Sequence, residues 1–370
     1  MNKAFHLKKI SGKELQRKSQ TVIWITLSWS IISVVQLAYE LSILEENNFE
    51  YKWVVAGDFF TYFLINTLSF LLNGFIAGVF IIFFLLDWIR NRSYSQGIAF
   101  GILSYTVLFF TLTCLQNYFV VRSIFGGSGS FFMAYLDGLG TYFLSYEFIR
   151  NFSFWLFVLI ITVIILLVND KYGPGVFNKF LLGKYFVPVT EERIFMFLDL
   201  KGSTAIAEKL GEKEYFRFLQ TVFKDITGVI LERKAEVYQY VGDEVVLTWT
   251  KQEGVKELRC IRCFQDINSL LIELKNQYST RFGVVPEFKA GIHLGFATVG
   301  EIGVIKRDIA YSGDVLNTTA RIQAKCNELG VNILFSEALF ESLPSGNINP
   351  QEVGEVSLRG KSGKHLLYTI

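Results

Sequence analysis

Charged residues are scarce in this sequence. Asp, Glu, Lys and Arg make up 19% of its 370 residues, whereas an ordinary soluble domain has about 25%. Hydrophobic residues reach 51% and include 36 phenylalanines. A chain of this length allows two domains, and the composition indicates that one of them lies in lipid. An excess of positive charge is lacking as well, because the net charge is only +2, so we expect no nucleic-acid partner.

Cysteine is also sparse. The four cysteines are Cys114, Cys260, Cys263 and Cys326. They are too few and too scattered for the disulfide framework of a small secreted domain. Cys260 and Cys263 form a CxxC, but the surrounding residues have helical periodicity and no second ligand pair follows. We therefore interpret this pair as part of a packed helix, with a metal or redox site as the alternative.

Four long stretches without a charged residue dominate the N-terminal half. They cover residues 21–39, 59–86, 93–121 and 152–168. A helix needs about 20 mostly apolar residues to cross the hydrocarbon core of a bilayer, and about 17 suffice. A helix of a soluble domain would keep a polar face instead. We therefore predict an α-helical transmembrane domain of about four helices over residues 20–168, embedded in the lipid bilayer.

The charges that flank these stretches predict the orientation of the chain. Six Lys and Arg residues lie in the basic N-terminus, residues 1–19, and Arg90 and Arg92 lie between the second and third stretches. The loop after the first stretch is acidic instead, with Glu45 and Glu46. By the positive-inside rule the N-terminus is cytoplasmic, and an even number of crossings returns the C-terminal domain to the cytoplasm.

Two segments outside these helices have their own character. Residues 123–147 are apolar and Gly-rich but contain Asp137, and we expect an external loop with an interfacial or re-entrant piece. Residues 169–189 carry Gly and Pro and are expected to form a coupling linker to a domain at 190–370. Uncharged polar residues within the apolar stretches are typical of helix–helix contacts; an unidentified ligand or partner of the membrane domain is the open alternative.

A strand, a turn and a helix are predicted where the composition becomes more polar. Residues 194–198 form an apolar run, and Asp199 follows at its end. Gly202 permits a turn, and Ser203 or Thr204 can cap the helix behind it. The first N–H groups of such a helix are unpaired and can hold phosphate. An aspartate in this position is also common for purely structural reasons.

A second aspartate lies at a predicted hairpin. After a helix near residues 212–233, two β-rich runs flank the dipeptide Gly242–Asp243, which is typical of a tight turn. Asp243 would then lie at the hairpin tip, where a conformational role alone is also possible. Two aspartates on adjacent strand ends could hold a pair of Mg²⁺ ions, which prefer carboxylates and substrate phosphates.

A third polar element is a helix predicted to begin near Asp314. Asn317 and Arg321 are four residues apart, so both project from one face of that helix. A solvated surface would explain such a pair as well. The neutral residues around Asn317 and the apolar Ile322 make a fully solvated face less convincing.

These segments together resemble the class III adenylate/guanylate cyclase family. The resemblance covers residues 191–370 and rests on FLDLKGST, YVGDEV, GIHLGFATVGEIG, SGDVLNTTARI and LRGKSGKHLLYTI, in this order. It implies an α/β catalytic domain with a ferredoxin-like βαββαβ core. It also implies a bacterial-type adenylate cyclase of the inner or plasma membrane, which makes cyclic AMP and pyrophosphate from ATP by a two-metal mechanism at a homodimer interface.

The resemblance also implies roles for particular residues. Asp199 and Asp243 would bind two Mg²⁺ or Mn²⁺ ions per site, and Asn317 and Arg321 of the other subunit would stabilise the transition state. The remaining residues would contact the substrate. They are Gly202, Ser203 and Thr204 at the turn, Gln239 and Ala310 at the base, and Arg359 or, as second choice, Lys361 at the triphosphate.

The base pocket is where this sequence departs from the family pattern. Family adenylate cyclases usually have Lys where this chain has Gln239, and Asp or Thr where it has Ala310. Gln239 can donate and accept, so it could pair with adenine or with guanine. The resemblance therefore favours ATP, with guanylate or dual-specificity cyclase activity as the alternative. A diguanylate cyclase is disfavoured by the Asn317–Arg321 helix, and an inactive receptor by the intact site residues.

Overall fold

The structure of the chain is a computed structural model. It describes residues 12–46, 59–89, 94–125, 131–172, 183–305, 307–344, 349–357 and 364–370. The chain folds into two compact units, Met1–Val168 and Asn169–Ile370. The first unit is helical, and the second combines a β-sheet with helices.

Long helices make up the described part of the N-terminal unit. They are α1 (Gly12–Glu46), α2 (Phe59–Phe80), α3 (Tyr94–Phe125), α4 (Phe131–Phe143) and α5 (Tyr146–Tyr172). After α2 the chain continues through a π-helical turn at Ile81–Leu85 and a last helical turn at Leu86–Ile89. Gly74 and Gly78, one helical turn apart on α2, lie against α1, so the two helices approach closely there.

Three stretches in the described residues are long and apolar enough to cross a membrane: Leu15–Tyr39, Thr67–Leu85 and Tyr146–Asn169. The predicted stretch 93–121 lies on α3. The apolar segment found there among the described residues, Ala99–Leu115, is shorter than the three candidate spans. Beside the expected count of about four, the described residues thus hold three candidate spans and one further apolar segment near the lower limit of about 17 residues.

The outward faces of these helices are apolar, as a lipid environment requires. Trp24 on α1, Leu103 on α3 and Phe157 on α5 are each at least 60% exposed. Between the helices, Trp29 and Trp155 pack with their rings 5.5 Å apart. A helix that is hydrophobic on all sides is typical of a membrane span, so the first unit has the surface of a membrane domain.

The expectation for residues 123–147 was wrong in one respect. The segment is helical rather than a loop over Phe131–Phe143 and over the end of α3. At 13 residues α4 is too short to cross the hydrocarbon core, which needs about 20. Asp137 lies exposed on α4. A short helix of this kind suits the interfacial piece that the sequence predicted.

An eight-stranded sheet forms the centre of the second unit. Its strands are β1 (Val189–Leu200), β2 (Glu236–Val241), β3 (Glu244–Thr250), β4 (Phe288–Ile302), β5 (Asp308–Ser312), β6 (Ile333–Ser336), β7 (Gln351–Ser357) and β8 (Lys364–Thr369). The order is β2-β3-β1-β4-β6-β8-β7, with β5 paired to β4. Strand β1 is antiparallel to both of its neighbours, β3 and β4.

Helices connect these strands and cover the sheet. They are α6 (Ser203–Leu210), α7 (Glu212–Glu232), α8 (Lys251–Val255), α9 (Arg259–Glu273), α10 (Lys275–Phe282), α11 (Asp314–Leu329) and α12 (Glu337–Phe340). The first two helices lie between β1 and β2, and the next three between β3 and β4. This sequence of elements is the ferredoxin-like βαββαβ core that the family resemblance implied, so that expectation is confirmed.

The side chains of β1 alternate between the two faces of the sheet, and this alternation explains how the core forms. Ile194, Met196 and Leu198 are buried on the face that α7 and α9 cover, and Phe195 is buried on the opposite face. Because successive side chains of a strand point to opposite faces, a strand covered on both faces is a continuous apolar run. Asp199 interrupts this run at its end, which places a carboxylate at the edge of a rigid core.

The two cysteines of the CxxC lie in this core. Cys260 and Cys263 are fully buried on α9 and are free thiols. Among the described residues no group of three or more His, Cys, Asp or Glu side chains is arranged to hold a metal ion. Both side chains belong to the buried hydrophobic cluster of the second unit, so the pair packs in the core, as the sequence indicated.

Burial makes a direct prediction about these thiols. It raises the pKa of Cys260 to about 12 and raises that of Cys263 even more, and the thiolate is the reactive form. Iodoacetamide at pH 8 should leave both cysteines unmodified in the native full-length protein and alkylate both in urea. Mass spectrometry of tryptic peptides measures this. Alkylation of either thiol at equal rates in the two conditions would contradict its burial.

Candidate active site

Asp199 lies at the end of β1, between two neighbouring strands. The pairing places Asp199 opposite Glu244 on β3 and opposite Lys289 on β4. Directly opposite residues on antiparallel strands have side chains close together. The register of the sheet therefore brings two carboxylates and one ammonium group to the same edge.

Two residues hold the Asp199 carboxylate. The ammonium group of Lys289 lies 3.0 Å from Asp199 Oδ2, and Gln323 on α11 donates to the same oxygen through its amide, Nε2 to Oδ2, at 2.9 Å. The Lys289 side chain is only 10% exposed. Neither Lys289 nor Gln323 could be identified from the sequence, because their contacts with Asp199 depend on elements that are distant along the chain. The only local signal was a lysine beside the Gly-rich strand.

Asp243 lies in the two-residue turn between β2 and β3, as predicted. Val241 pairs with Glu244 on either side of the turn, and Gly242 has φ +63°. Glycine adopts this left-handed conformation without the steric cost that other residues have. The turn therefore holds Asp243 immediately beside Glu244, at the edge where Asp199 ends β1.

The charges at this edge influence one another. Burial, and then the charges of Asp199 and Asp243, raise the pKa of Glu244 to about 7, against the opposing charge of Lys289. Like charges disfavour ionisation of a neighbouring carboxyl group. Three carboxyl groups thus share one electrostatic environment, and the ammonium group of Lys289 opposes their effect on Glu244.

This excess of negative charge fits a divalent cation. Mg²⁺ is usually bound by one or two carboxylates and completes its coordination with water and substrate phosphates. Asp199 and Asp243 supply two carboxylates of that kind. The donor set therefore suits Mg²⁺ or Mn²⁺ together with a phosphorylated ligand, and it does not form a closed protein cage.

The turn after β1 differs in detail from its prediction. The helix α6 begins at Ser203 and its N-cap is Gly202, with φ +62° and no side-chain cap, so capping by Ser203 or Thr204 was wrong. Tyr215 lies near this turn, and its pKa is raised by burial and by the charge of Asp243. The helix α6 begins shortly after β1 ends at Leu200, and the unpaired first N–H groups of a helix can bind an anion.

Asn317 and Arg321 lie on α11, as predicted. Asn317 is exposed and Arg321 is half-buried, while Thr318, Thr319 and Ile322 of the same helix are buried. Among the described residues of this chain, neither Asn317 nor Arg321 forms a hydrogen bond or ion pair with Asp199 or Asp243. Gln323 on the same helix does contact Asp199, so α11 contributes Gln323, but neither Asn317 nor Arg321, to the Asp199 carboxylate of its own chain.

The structure brings the neighbours of Gln239 and Ala310 together. Strand β2 has a bulge at Tyr238, and Gln239 is exposed beyond it. Ala310 lies on β5 opposite Gly300. The rings of Tyr238 and Tyr311 meet edge to face at 4.9 Å. Arg359 and Lys361 lie outside the described residues, between the paired strands β7 and β8.

Comparison with known proteins decides the family. Residues 188–370 match the family model for the adenylate and guanylate cyclase catalytic domain. The C-terminal half of this chain belongs to the class III nucleotidyl cyclase family. Its fold is also that of a solved bacterial light-regulated adenylyl cyclase, which is 22% identical with a TM-score of 0.51. The structural match covers 61% of this chain and 66% of the light-regulated cyclase.

Two curated relatives share sequence with the cyclase domain. Adenylate cyclase 2 of Rhizobium meliloti (strain 1021) is 35% identical over 203 residues, which are 55% of this chain and 56% of the relative. The adenylate cyclase of Anabaena cylindrica is 25% identical over 157 residues, 42% of this chain and 31% of the relative. The chain therefore spans about half of the first relative and less of the second.

Proposed function

We propose that this protein is a membrane-bound adenylate cyclase that converts ATP to 3′,5′-cyclic AMP and pyrophosphate. The observation that carries the proposal is the pair Asp199 and Asp243: Asp199 lies at the end of β1 opposite Glu244, and Asp243 lies in the turn immediately before Glu244, so both carboxylates lie at the same edge of the sheet. The family match of the domain and the names of its two curated relatives support this activity.

Asp199 and Asp243 would hold two Mg²⁺ or Mn²⁺ ions in each site. Bound there, the ions would favour deprotonation of the 3′-hydroxyl and neutralise charge on the leaving pyrophosphate. The 3′-oxygen would attack the α-phosphorus and the hydroxyl proton would pass to water. The bond between the α-phosphorus and the oxygen that bridges to the β-phosphorus would break, and pyrophosphate would leave with that oxygen. The backbone N–H groups at Gly202, Ser203 and Thr204 would bind phosphate at the start of α6.

A homodimer would complete each site. Among the described residues, Asn317 and Arg321 form no hydrogen bond or ion pair with Asp199 or Asp243 of their own chain, and we infer that they serve the site of a second copy. There Arg321 would bind the negative charge that develops on the phosphates, with Arg359 or Lys361 on the triphosphate. Two-fold symmetry would then give two equivalent shared sites.

The catalytic domain would face the cytoplasm, where ATP is available. The three candidate spans support an integral membrane protein, and a fourth crossing by α3 would place both ends of the chain on one side. The basic residues before α1 favour the cytoplasmic side, in a bacterial inner or plasma membrane. A ligand or partner of the membrane domain could then control turnover.

Product analysis tests the proposal. Purified full-length protein is incubated with Mg²⁺ or Mn²⁺ and with ATP, GTP or both, and cyclic products are identified by mass spectrometry. Cyclic AMP should be the main product, with some cyclic GMP because Gln239 can pair with either base. Cyclic di-GMP would identify a diguanylate cyclase, and no cyclic product would contradict an enzyme.

The base pocket gives a sharper prediction. Gln239→Lys combined with Ala310→Asp should raise the ratio of kcat/KM for ATP over GTP by about tenfold or more, because each unpaired buried polar group costs about 1–3 kcal/mol. Asp at position 310 accepts from the adenine amino group, and Lys at 239 donates to N1. Guanine has a carbonyl oxygen where adenine has its amino group, and an N–H where adenine has the acceptor N1, so neither new side chain could form the same hydrogen bond with guanine.

Steady-state kinetics of the wild type and the double variant with both nucleotides make the measurement. An unchanged ratio in a folded, active variant would show that Gln239 and Ala310 do not contact the base. The single variants serve as controls, since either change alone leaves one new charge without its partner and should select less strongly.

A further inference from the structure

Arg193 is an arginine in β1 whose side chain has no exposed surface. Its guanidinium group donates three hydrogen bonds, from Nε to Thr248 Oγ1 at 3.1 Å, from Nη1 to Glu191 Oε2 at 2.9 Å and from Nη2 to Glu236 Oε2 at 3.1 Å. A buried cation is costly unless its charge and its donors are satisfied. Two carboxylates and a hydroxyl satisfy this one, so its position is closely defined.

Two tyrosines complete the cluster around this cation. The ring of Tyr311 on β5 lies over the guanidinium group, with its centroid 5.0 Å from Cζ. The backbone N–H of Tyr311 donates to the hydroxyl of Tyr238 on β2 at 3.5 Å. Glu236, which binds Arg193, lies on β2 as well. One buried cation therefore contacts both β2 and β5.

These two strands belong to different ladders of the sheet. Strand β2 pairs with β3, and β5 pairs with β4, so backbone pairing does not by itself fix the distance between them. The contacts through Arg193, Glu236 and the two tyrosines do. The residues next to the tyrosines are Gln239 and Ala310, the proposed contacts of the nucleotide base.

We propose that Arg193 is a positioning residue for base recognition: it holds β2 and β5 at the separation that lets Gln239 and Ala310 contact the base together. The proposal rests on the proposed function and adds a residue far from the reacting phosphates. It predicts an effect on nucleotide affinity and base selectivity, with little effect on the chemical step, since a lost base contact weakens ground state and transition state alike.

The chain offers a matched control at a second buried arginine. Arg259 on α9 is 7% exposed and forms ion pairs with Glu253 and Glu257, on the face of the sheet away from Tyr311. Arg193→Lys and Arg259→Lys make the same chemical change, from a planar fork of donors to an ammonium group. Both should lower Tm, but only the first should disturb the base pocket.

The experiment uses the full-length protein and measures Tm, kcat and KM for ATP and GTP. Arg193→Lys should raise KM for ATP about tenfold, with kcat changed by less than about threefold. The ratio of kcat/KM for ATP over GTP should move toward unity. Tyr311→Leu removes the ring over the guanidinium group together with the hydroxyl that donates to Glu236, and leaves Arg193 in place. It should give the same pattern, and it tests the proposal if Arg193→Lys does not fold.

Thermal stabilisation by ATP with Mg²⁺ provides a measure of affinity that does not need turnover. The rise in Tm on adding ATP with Mg²⁺ should be smaller in Arg193→Lys than in Arg259→Lys, even where the two substitutions lower the Tm of the unliganded protein equally. Equal affinities and equal selectivity in these two variants would overturn the positioning role. A wild type that binds ATP but makes no cyclic nucleotide would contradict the proposed function instead, and the binding comparison would still test Arg193.

Discussion

Asp199→Ala and Asp243→Ala should each reduce cyclic AMP formation by about a thousandfold or more. The loss follows because metal ions contribute several kcal/mol to stabilising transition-state charge, and each 1.4 kcal/mol or so is a factor of ten in rate. Turnover at saturating Mg²⁺ or Mn²⁺ is the measurement. Either variant with wild-type turnover would show that the two carboxylates do not hold the catalytic ions.

The same two variants should differ in stability. Asp199→Ala leaves the nearly buried Lys289 without the carboxylate that lies 3.0 Å from it, whereas Asp243→Ala removes a charge that disfavours ionisation of Glu244. An unpaired buried charge is destabilising, so the Tm should fall further in Asp199→Ala. Asp266→Ala, which removes the ion pair with Arg233 elsewhere in the domain, is the control for lost stability with retained turnover.

Asp199→Ala and Arg321→Ala should each be nearly inactive alone and should regain activity when they are co-expressed. In a mixed dimer one shared site carries both substitutions and the other carries none. Random pairing makes about half of the dimers mixed, each with one intact site of two, so about a quarter of wild-type activity should return. Cyclic AMP formation by the co-purified proteins measures this recovery.

A matched pair of variants sharpens this result. Asp199→Ala with Asp243→Ala damages the metal-binding half in both chains, so every site of a mixed dimer lacks a carboxylate and no activity should return. Recovery in this control, or no recovery with Arg321→Ala despite co-purification of the two chains, would contradict sites shared between subunits.

Local features of the site could be predicted from the sequence, but its long-range contacts could not. The Gly242–Asp243 turn and the helix that carries Asn317 and Arg321 depend on neighbouring residues, and the structure has both. Lys289 reaches Asp199 only through the pairing of β1 with β4. One sequence does not determine which residues of two distant strands lie opposite each other, because a shift by two keeps every apolar side chain on its face.

In the membrane domain the apolar stretches predicted where the candidate spans lie, but they did not predict where the helices begin and end. The stretch 21–39 lies within α1, which runs from Gly12 to Glu46, and 152–168 lies within α5, which includes Arg150. Backbone hydrogen bonding continues along a helix beyond the hydrocarbon core, so charged residues at either end do not terminate it. The linker also begins as helix, since α5 ends at Tyr172.

The central claim is that the edge formed by Asp199 and Asp243 cyclises ATP. The most direct measurement is the joint quantification of cyclic AMP and pyrophosphate from ATP by the purified full-length protein, beside Asp199→Ala prepared in the same way. The proposed function predicts equal amounts of both products from the wild type and neither from the variant. Release of ADP and phosphate by the wild type, or cyclic AMP from the variant at the wild-type rate, would contradict it.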